Sequence, residues 1–481
     1  MSRVKTKLDE TALAFATISE LSAALRNRDI SAVELTKFFG RRLEKIGPQY
    51  NALAYSLVKQ AHGAAKDADH DLKHQRFRGP LQGIPYGAKD LLAVAKHPTT
   101  WGAKPFAHQV FDYDAHVIER LRHEQAILIG KLAMIELAGG GGYSSASASL
   151  QGPCLNPWNR LYWAGGSSSG SGAAVAAGLV PFALGSETSG SILTPASYCG
   201  VSGLRPTYGL VSRHGAMALS WTLDKIGVLA RSAEDCGLVL HAIAGGDEDD
   251  PGSAHKSFYY TPQYARNLRD LRIGYAEIDF DAWADEPMRP ALQNALGIVK
   301  SMGAQMKETK LPAFPYGPVI SVIIDSEAAS VFETLIRSGD IDQLADLSQI
   351  QSLKASLRYS AVDYLKAMRI RSLMQDAFAE LFEDVDLLIA PTRFSLPERA
   401  DIPFDETPAK RPEERGVGGG LIEASNLCGL PGLTIPCGFV NGLPIGLQIV
   451  GPPFSENTIL AFGREFQNRT DFHKKHPPVP A

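Results

Sequence analysis

The stretch Trp163–Ala196 reads WAGGSSSGSGAAVAAGLVPFALGSETSGSILTPA. Two turns rich in serine and glycine flank a run of small apolar residues. Glycine opens backbone geometries closed to other residues and lets the chain approach a ligand closely. Serine adds a hydroxyl that can donate, accept or attack. No metal-ligand spacing and no convincing nucleotide fingerprint stands elsewhere, so the paired turns point to serine chemistry. Between them, Ser171–Leu179 reads as a helix able to pack very close to a neighbour, with Pro181 marking its end. Val180 to Leu184 then reads as a short strand that delivers the second turn, Gly185–Ser191.

The rest of the chain sets bounds on that chemistry. Its 481 residues are 44% hydrophobic and 21% charged, ordinary values for a globular protein. A net charge of −4 gives no basic footprint, which argues against nucleic acid or an anionic membrane surface as partner. Five cysteines (Cys154, Cys199, Cys236, Cys428, Cys437) are odd in number and lack any CxxC spacing. They read as small buried side chains in a reducing compartment, not as a disulfide framework or zinc site. The start, MSRVKTKLDE, lacks the apolar core of a signal peptide, and no apolar run approaches the roughly 18 residues of a membrane span. The expectation is a cytoplasmic protein with no metal and no cofactor. Self-association into a homo-oligomer stays open.

Periodicity predicts an α/β architecture. Ile18 to Leu25 and Ala32 to Ile46 carry helical spacing after Thr17 and Ser31 as N-caps. Leu81 to Lys89 and Ala126 to Gly130 read as buried strands, the second following a helix over His116–His123. This alternation predicts a large mixed β-sheet core covered by helices on both faces. Asp247–Asp250 reads as a solvated loop. Beyond it, Pro287–Met302 and Ala361–Phe382 are helical, and Asp386–Ala390 is a strand ending at Pro391. Glu398–Arg415 reads as an irregular surface excursion. Leu427–Phe439 and Leu443–Val450 form a hairpin around Asn441-Gly442. No linker divides the chain, so residues 1–481 read as a single domain with a helical variable region at about 247–415.

An alcohol nucleophile needs a base. Gly166-Ser167-Ser168-Ser169-Gly170 matches G-x-S-x-G, but a nucleophile elbow needs a strand running into the turn. Asn159–Trp163 is a poor central strand, and no context singles out His214 or His241. Lysine is the other base on offer. Lys89 ends an apolar strand in GIPYGAKD (Gly83–Asp90), where partial desolvation would disfavour its charged form.

These residues carry a resemblance. GGSSSGSGAAVAAG (Gly165–Gly178), GSETSGSI (Gly185–Ile192), GIPYGAKD and CGVSGLRPTYGLVSR (Cys199–Arg213) resemble the amidase signature family. The likeness extends to Leu128–Lys131, Asp224–Ala233 with Asp235, and Leu427–Pro452, in the family's order. It implies the amidase signature fold and a Ser–Ser–Lys triad: Ser191 as nucleophile, Ser167 as the serine after a cis peptide, and Lys89 as base. It also implies an oxyanion hole from the N–H groups of Thr188, Ser189, Gly190 and Ser191. Ser168 and Ser169 read as cap and support residues at a helix N-terminus.

Departures from the family's pattern bear on substrate. Ser189 stands where glycine is common, and Leu193 replaces an arginine close to the nucleophile. The tract Gly416–Gly420 lies where glutamine-hydrolysing relatives would present an aspartate. A second tract, Gly139–Gly142, replaces bulkier residues and makes Gly141 a candidate substrate contact. Together they suggest a roomy, largely uncharged pocket in which Tyr316, Phe332 and Tyr359 could form a wall. The expected function is a serine hydrolase of neutral amides, anilides or carbamates, acting on a small molecule. The alternatives are the glutamine-hydrolysing component of a tRNA-dependent amidotransferase and an inactive binding or scaffolding relative.

Overall fold

The structure is a computed structural model that describes residues 9–404 and 416–478. Most of the proline-rich excursion expected at Glu398–Arg415 therefore lies outside the described residues, as does most of the opening MSRVKTKLDE. Thirteen strands are formed among the described residues: β1 (Leu53–Ser56), β2 (Pro85–Lys89), β3 (Ile127–Leu132), β4 (Leu155–Asn156), β5 (Asn159–Trp163), β6 (Phe182–Glu187), β7 (Ser202–Arg205), β8 (Lys225–Ala230), β9 (Arg272–Tyr275), β10 (Gln305–Glu308), β11 (Leu387–Pro391), β12 (Gly432–Val440) and β13 (Leu443–Val450).

Eleven of them make one mixed sheet in the order β1-β3-β2-β6-β8-β7-β12-β13-β11-β9-β10. β2 runs parallel to both β3 and β6, whereas β6 pairs antiparallel with β8. The central strands β2, β6, β7 and β8 are buried along their whole length. A strand buried on both faces reads as a continuous apolar run, which is how β6 and β8 read. The fold is α/β with a large mixed sheet and helices around it. The region from about 247 to 415 supplies helices and also three strands, β9, β10 and β11, to the same sheet. The short strands β9 and β10 have no clear pattern in the sequence.

Local signals explain the edges of the elements. Thr17 and Ser31 each form a capping box, with Glu20 and Glu34 respectively, ahead of the helices Ile18–Asn27 and Ala32–Ile46. Asn441 and Gly442 both take positive φ (52° and 78°) between β12 and β13, the geometry a two-residue hairpin of this hand needs. β5 pairs with β4 in a separate two-stranded ribbon and bridges Arg399 through Tyr162, outside the main sheet, so it does not run into Ser167 as a central strand would.

The acidic run differs from its reading as a solvated loop. Asp250 is buried and receives Arg213 Nε and Nη2 at 3.0 and 2.6 Å. Asp247 accepts from Ser212 Oγ at 2.5 Å and faces His116 Nδ1 at 3.0 Å. A buried carboxylate must be paired to be tolerated, and these pairings tie the run to the segment after β7.

Candidate active site

Lys89 ends β2 with its side chain wholly buried. Its Nζ donates to Ser167 Oγ at 2.8 Å and to Ser186 Oγ at 2.9 Å, with the Ser186 carbonyl at 3.4 Å. Burial lowers the lysine's pKa to about 7, against the opposing pull of Asp224 and Glu187. Near neutral pH about half of such amines are uncharged, against roughly one in a thousand for an unshifted lysine.

Ser167 follows a cis peptide bond from Gly166. The next residue joins the two turns: Ser168 N donates to the Ser191 carbonyl at 3.2 Å. Ser168 makes no side-chain cap for the helix Ser169–Ala176. Instead its Oγ donates to the Ser186 carbonyl at 3.1 Å and accepts from Ser186 N at 3.2 Å, pinning that helix to β6. Gly185 of β6 permits this approach, since a Cβ there would lie 2.9 Å from Ser168 Oγ; on the other side a Cβ on Gly170 would lie 2.5 Å from the Ala52 carbonyl oxygen and from Ala133 N.

The second turn hangs between β6 and the helix Leu193–Cys199. Gly190 has φ +82°, and a Cβ there would meet Ile422 Cγ2 and Thr194 Oγ1 at 3.2 Å. Ser189 is only partly buried, and Ser191 keeps 9% of its surface. Glu187 holds the turn from beneath. Its Oε2 accepts from the amides of Ile192 (2.8 Å) and Leu193 (3.0 Å), and its Oε1 from Arg205 Nη1 (2.6 Å) and Asn426 Nδ2 (2.9 Å). Burial pushes the Glu187 carboxyl up, but Arg205, Asn426 and the two amides together bring it below the usual carboxylate value. On the other side, Thr188 Oγ1 donates to Asp224 Oδ1 at 2.6 Å.

The structure thus brings Lys89, Ser167 and the Thr188–Ser191 turn into one cluster. Gly141 is placed elsewhere. It has φ +80° and faces the helix Leu347–Ser356, where a Cβ would lie 2.8 Å from Leu353 Cγ. Leu193 is wholly buried; a Cβ on Gly432 would lie 3.4 Å from its Cδ1. Sequence reasoning missed Ser186, Asn426 and Tyr143. A polar residue near the end of an apolar strand was the one signal for Ser186. Tyr143 carries none, yet its hydroxyl lies 3.1 Å from where a Cβ on Gly166 would sit, and its ring meets Trp163 edge-on at 5.9 Å.

One cavity reaches this cluster, and a second holds none of its residues. The first, of about 370 Å³, runs from Trp221 and Asp249 at the surface inward to Ser186, Thr188 and Lys225. The other, about 520 Å³, is lined by Gly416, Gly419 and Gly420 with Phe314, Tyr316 and several prolines. It is not wholly uncharged, because Lys310 and Glu423 also border it. A Cβ on Gly190 would meet Ile422, the residue before Glu423, at 3.2 Å, but neither Lys89, Ser167 nor the Thr188–Ser191 turn lines this cavity. Phe332 belongs to the core, whereas Tyr359 borders a separate groove with Asp325. Among the described residues, no group of three or more His, Cys, Asp or Glu side chains is placed to hold a metal ion. No helix among them is long and apolar enough to cross a membrane.

The Amidase family model matches residues 34–460. One of the component chains of the glutamyl-tRNA(Gln) amidotransferase of Desulforudis audaxviator is 36% identical over 96% of this chain and 97% of its own length. Among solved structures, the peptide amidase of Stenotrophomonas maltophilia superposes with a TM-score of 0.82 at 28% identity, covering 97% of this chain and 98% of that one. A component of a vestigial protein complex, described as revealing the evolutionary origins of an s-triazine catabolic enzyme, gives 0.85 at 29%, covering 97% and 100%. The chain belongs to the amidase family, the amidase signature enzymes. It is therefore an enzyme of C–N bond hydrolysis with the fold of that family.

Proposed function

We propose that the chain hydrolyses a small-molecule amide through an acyl-enzyme on Ser191. The observation that carries this reading is the buried Lys89 amine, 2.8 Å from Ser167 Oγ and poised near neutrality. Neutral Lys89 takes the proton of Ser167, and Ser167 takes that of Ser191 as Ser191 Oγ attacks the carbonyl carbon. The developing oxyanion is met by N–H groups of the Thr188–Ser191 turn, which Glu187 and Asp224 hold in place. The relay then runs back to protonate the departing amine. Water then attacks the acyl carbon, its proton passing through Ser167 to Lys89, and that proton returns to Ser191 Oγ as the acyl–Oγ bond breaks and the acid leaves.

For the substrate, the cavity that reaches Ser186 and Thr188, walled by Leu91, Met217, Leu219 and Trp221, supports bulky neutral amides, anilides or carbamates. A second reading, glutamine hydrolysis as one component of a tRNA-dependent amidotransferase, has its own observation: 36% identity across nearly the whole of such a component. On similarity that reading stands ahead; the apolar walls of the cavity at Thr188 favour the first. Burial of Leu193 away from both cavities removes one argument against a carboxylate-bearing substrate. The five cysteines are buried and unbridged, which fits a cytoplasmic location. The deciding experiment incubates the purified chain alone with glutamine, acyl anilides and aryl carbamates and follows products by mass spectrometry. Arylamine release without partner proteins supports the first reading; glutaminase activity confined to a complex supports the second.

A further inference from the structure

The segment between Leu219 and Asp224 joins a partly buried carboxylate, Asp224, to a buried one, Glu327. At one end, Asp224 accepts from Thr188 Oγ1 at 2.6 Å and from the amides of Leu219 and Ser220 at 2.8 and 2.9 Å. At the other, Glu327, only 1% exposed, accepts from Ser220 Oγ, from Thr222 Oγ1 at 2.8 Å and from Thr222 N at 3.3 Å. Glu327 belongs to the helix Tyr316–Val331 and also receives the hydroxyl of Tyr364, at 2.7 Å, from the helix Ala361–Asp384. From that second helix Arg371 donates to the Thr222 carbonyl at 2.8 Å and to the Leu427 carbonyl at 2.7 Å. A contiguous hydrogen-bonded path thus runs from the helices of the 316–384 region, through Glu327, Ser220 and Asp224, to Thr188 at the head of the nucleophile turn.

We propose that Glu327 and Asp224 are positioning residues: through the 219–224 segment they lock the Thr188–Ser191 amides in the orientation that receives the oxyanion. Neither carboxylate needs to touch the reacting atoms. Four donors converge on Glu327 from three separate residues, and a carboxylate so satisfied has one orientation. The helical region then does more than wall a pocket, because loosening Glu327 frees the segment that holds Asp224. The inference rests on the reading of Ser191 as nucleophile.

The test uses the full chain and a fluorophosphonate probe, whose reaction at Ser191 develops the same negative oxygen. Labelling rates are resolved into a maximal rate and a half-saturating concentration for wild type, Glu327→Gln and Tyr364→Phe, beside thermal melts. Glu327→Gln is expected to lower the maximal rate at least tenfold with half-saturation within twofold, and Tyr364→Phe to lower it about threefold. A folded variant with the wild-type maximal rate, or a change confined to half-saturation, overturns the proposal. Should Glu327→Gln not fold, Tyr364→Phe decides, since it removes one of Glu327's four donors. Wild type labelled at a residue other than Ser191 would instead overturn the parent reading.

Discussion

Lys89 Nζ and Ser167 Oγ lie 2.8 Å apart with the lysine wholly buried, so burial itself prepares the amine to accept a proton. The pH dependence follows in sign. A base works when unprotonated, and the Lys89 pKa is lowered to about 7. Activity is expected to rise with pH through an acid limb near 7. A kcat/KM profile between about pH 5 and 9 checks this; a limb below about 5.5 would point to a carboxylate base instead.

Substituting the lysine separates catalysis from stability. Lys89→Met should lower kcat by roughly 10²–10⁴, the usual worth of a positioned general base. Its folded-state pKa lies below the ordinary 10.5, so its contribution to stability is complete above that value and is lost as pH falls toward about 7. Without Lys89, the melting temperature should vary less with pH between about 7 and 10. Melts at both pH values, with a far-UV spectrum to show retention of fold, make the comparison.

Glu187 and Arg205 form a wholly buried ion pair at 2.6 Å. Glu187→Gln removes one charge and leaves Arg205 uncompensated, a change that typically costs about 3–5 kcal/mol. It also weakens the hold on the Ile192 and Leu193 amides, so activity should fall in whatever fraction remains folded. Urea denaturation reads the first effect. The double variant Glu187→Gln, Arg205→Met should recover part of the stability and none of the activity.

Gly190 at φ +82° sits 3.2 Å, measured from an added Cβ, from Ile422. Gly190→Ala should displace the turn and cost roughly 10²–10³ in kcat, comparable with losing an oxyanion donor. Ala218 differs: it lines the cavity that reaches Thr188, so a larger side chain there begins to fill it. Ala218→Leu should penalise bulky anilides about tenfold or more relative to small amides, since one methylene that no longer fits is worth roughly 1–3 kcal/mol. Equal effects on large and small substrates would place the acyl group elsewhere.

Much of this was legible in the sequence because its signals are local. The N-caps at Thr17 and Ser31, the Asn441-Gly442 hairpin and the two glycine-serine turns each state their geometry within a few residues. The α/β alternation pointed to the mixed sheet, though not to the entry of β9 and β10 from a region that reads as helical, since four-residue strands leave little period to detect. The supports of the turn were not legible. Asn426 meets Glu187 across 239 residues of chain, and Glu327 reaches Ser220 across 107. Such pairings depend on how the sheet brings distant segments together, and a single sequence carries no local trace of them. Ser168 shows the same limit: its position suggests an N-cap, but the closeness of β6 offers its hydroxyl better partners.

The most direct test of the account is to catch the acyl group. Mixing the enzyme with excess 4-nitrophenyl butyrate, quenching in acid and mapping peptides should give a stoichiometric burst of nitrophenolate and a butyryl ester on Ser191, both absent in Ser191→Ala. A butyryl group on Ser167, Ser168 or any other residue, or an undiminished burst in Ser191→Ala, would contradict it.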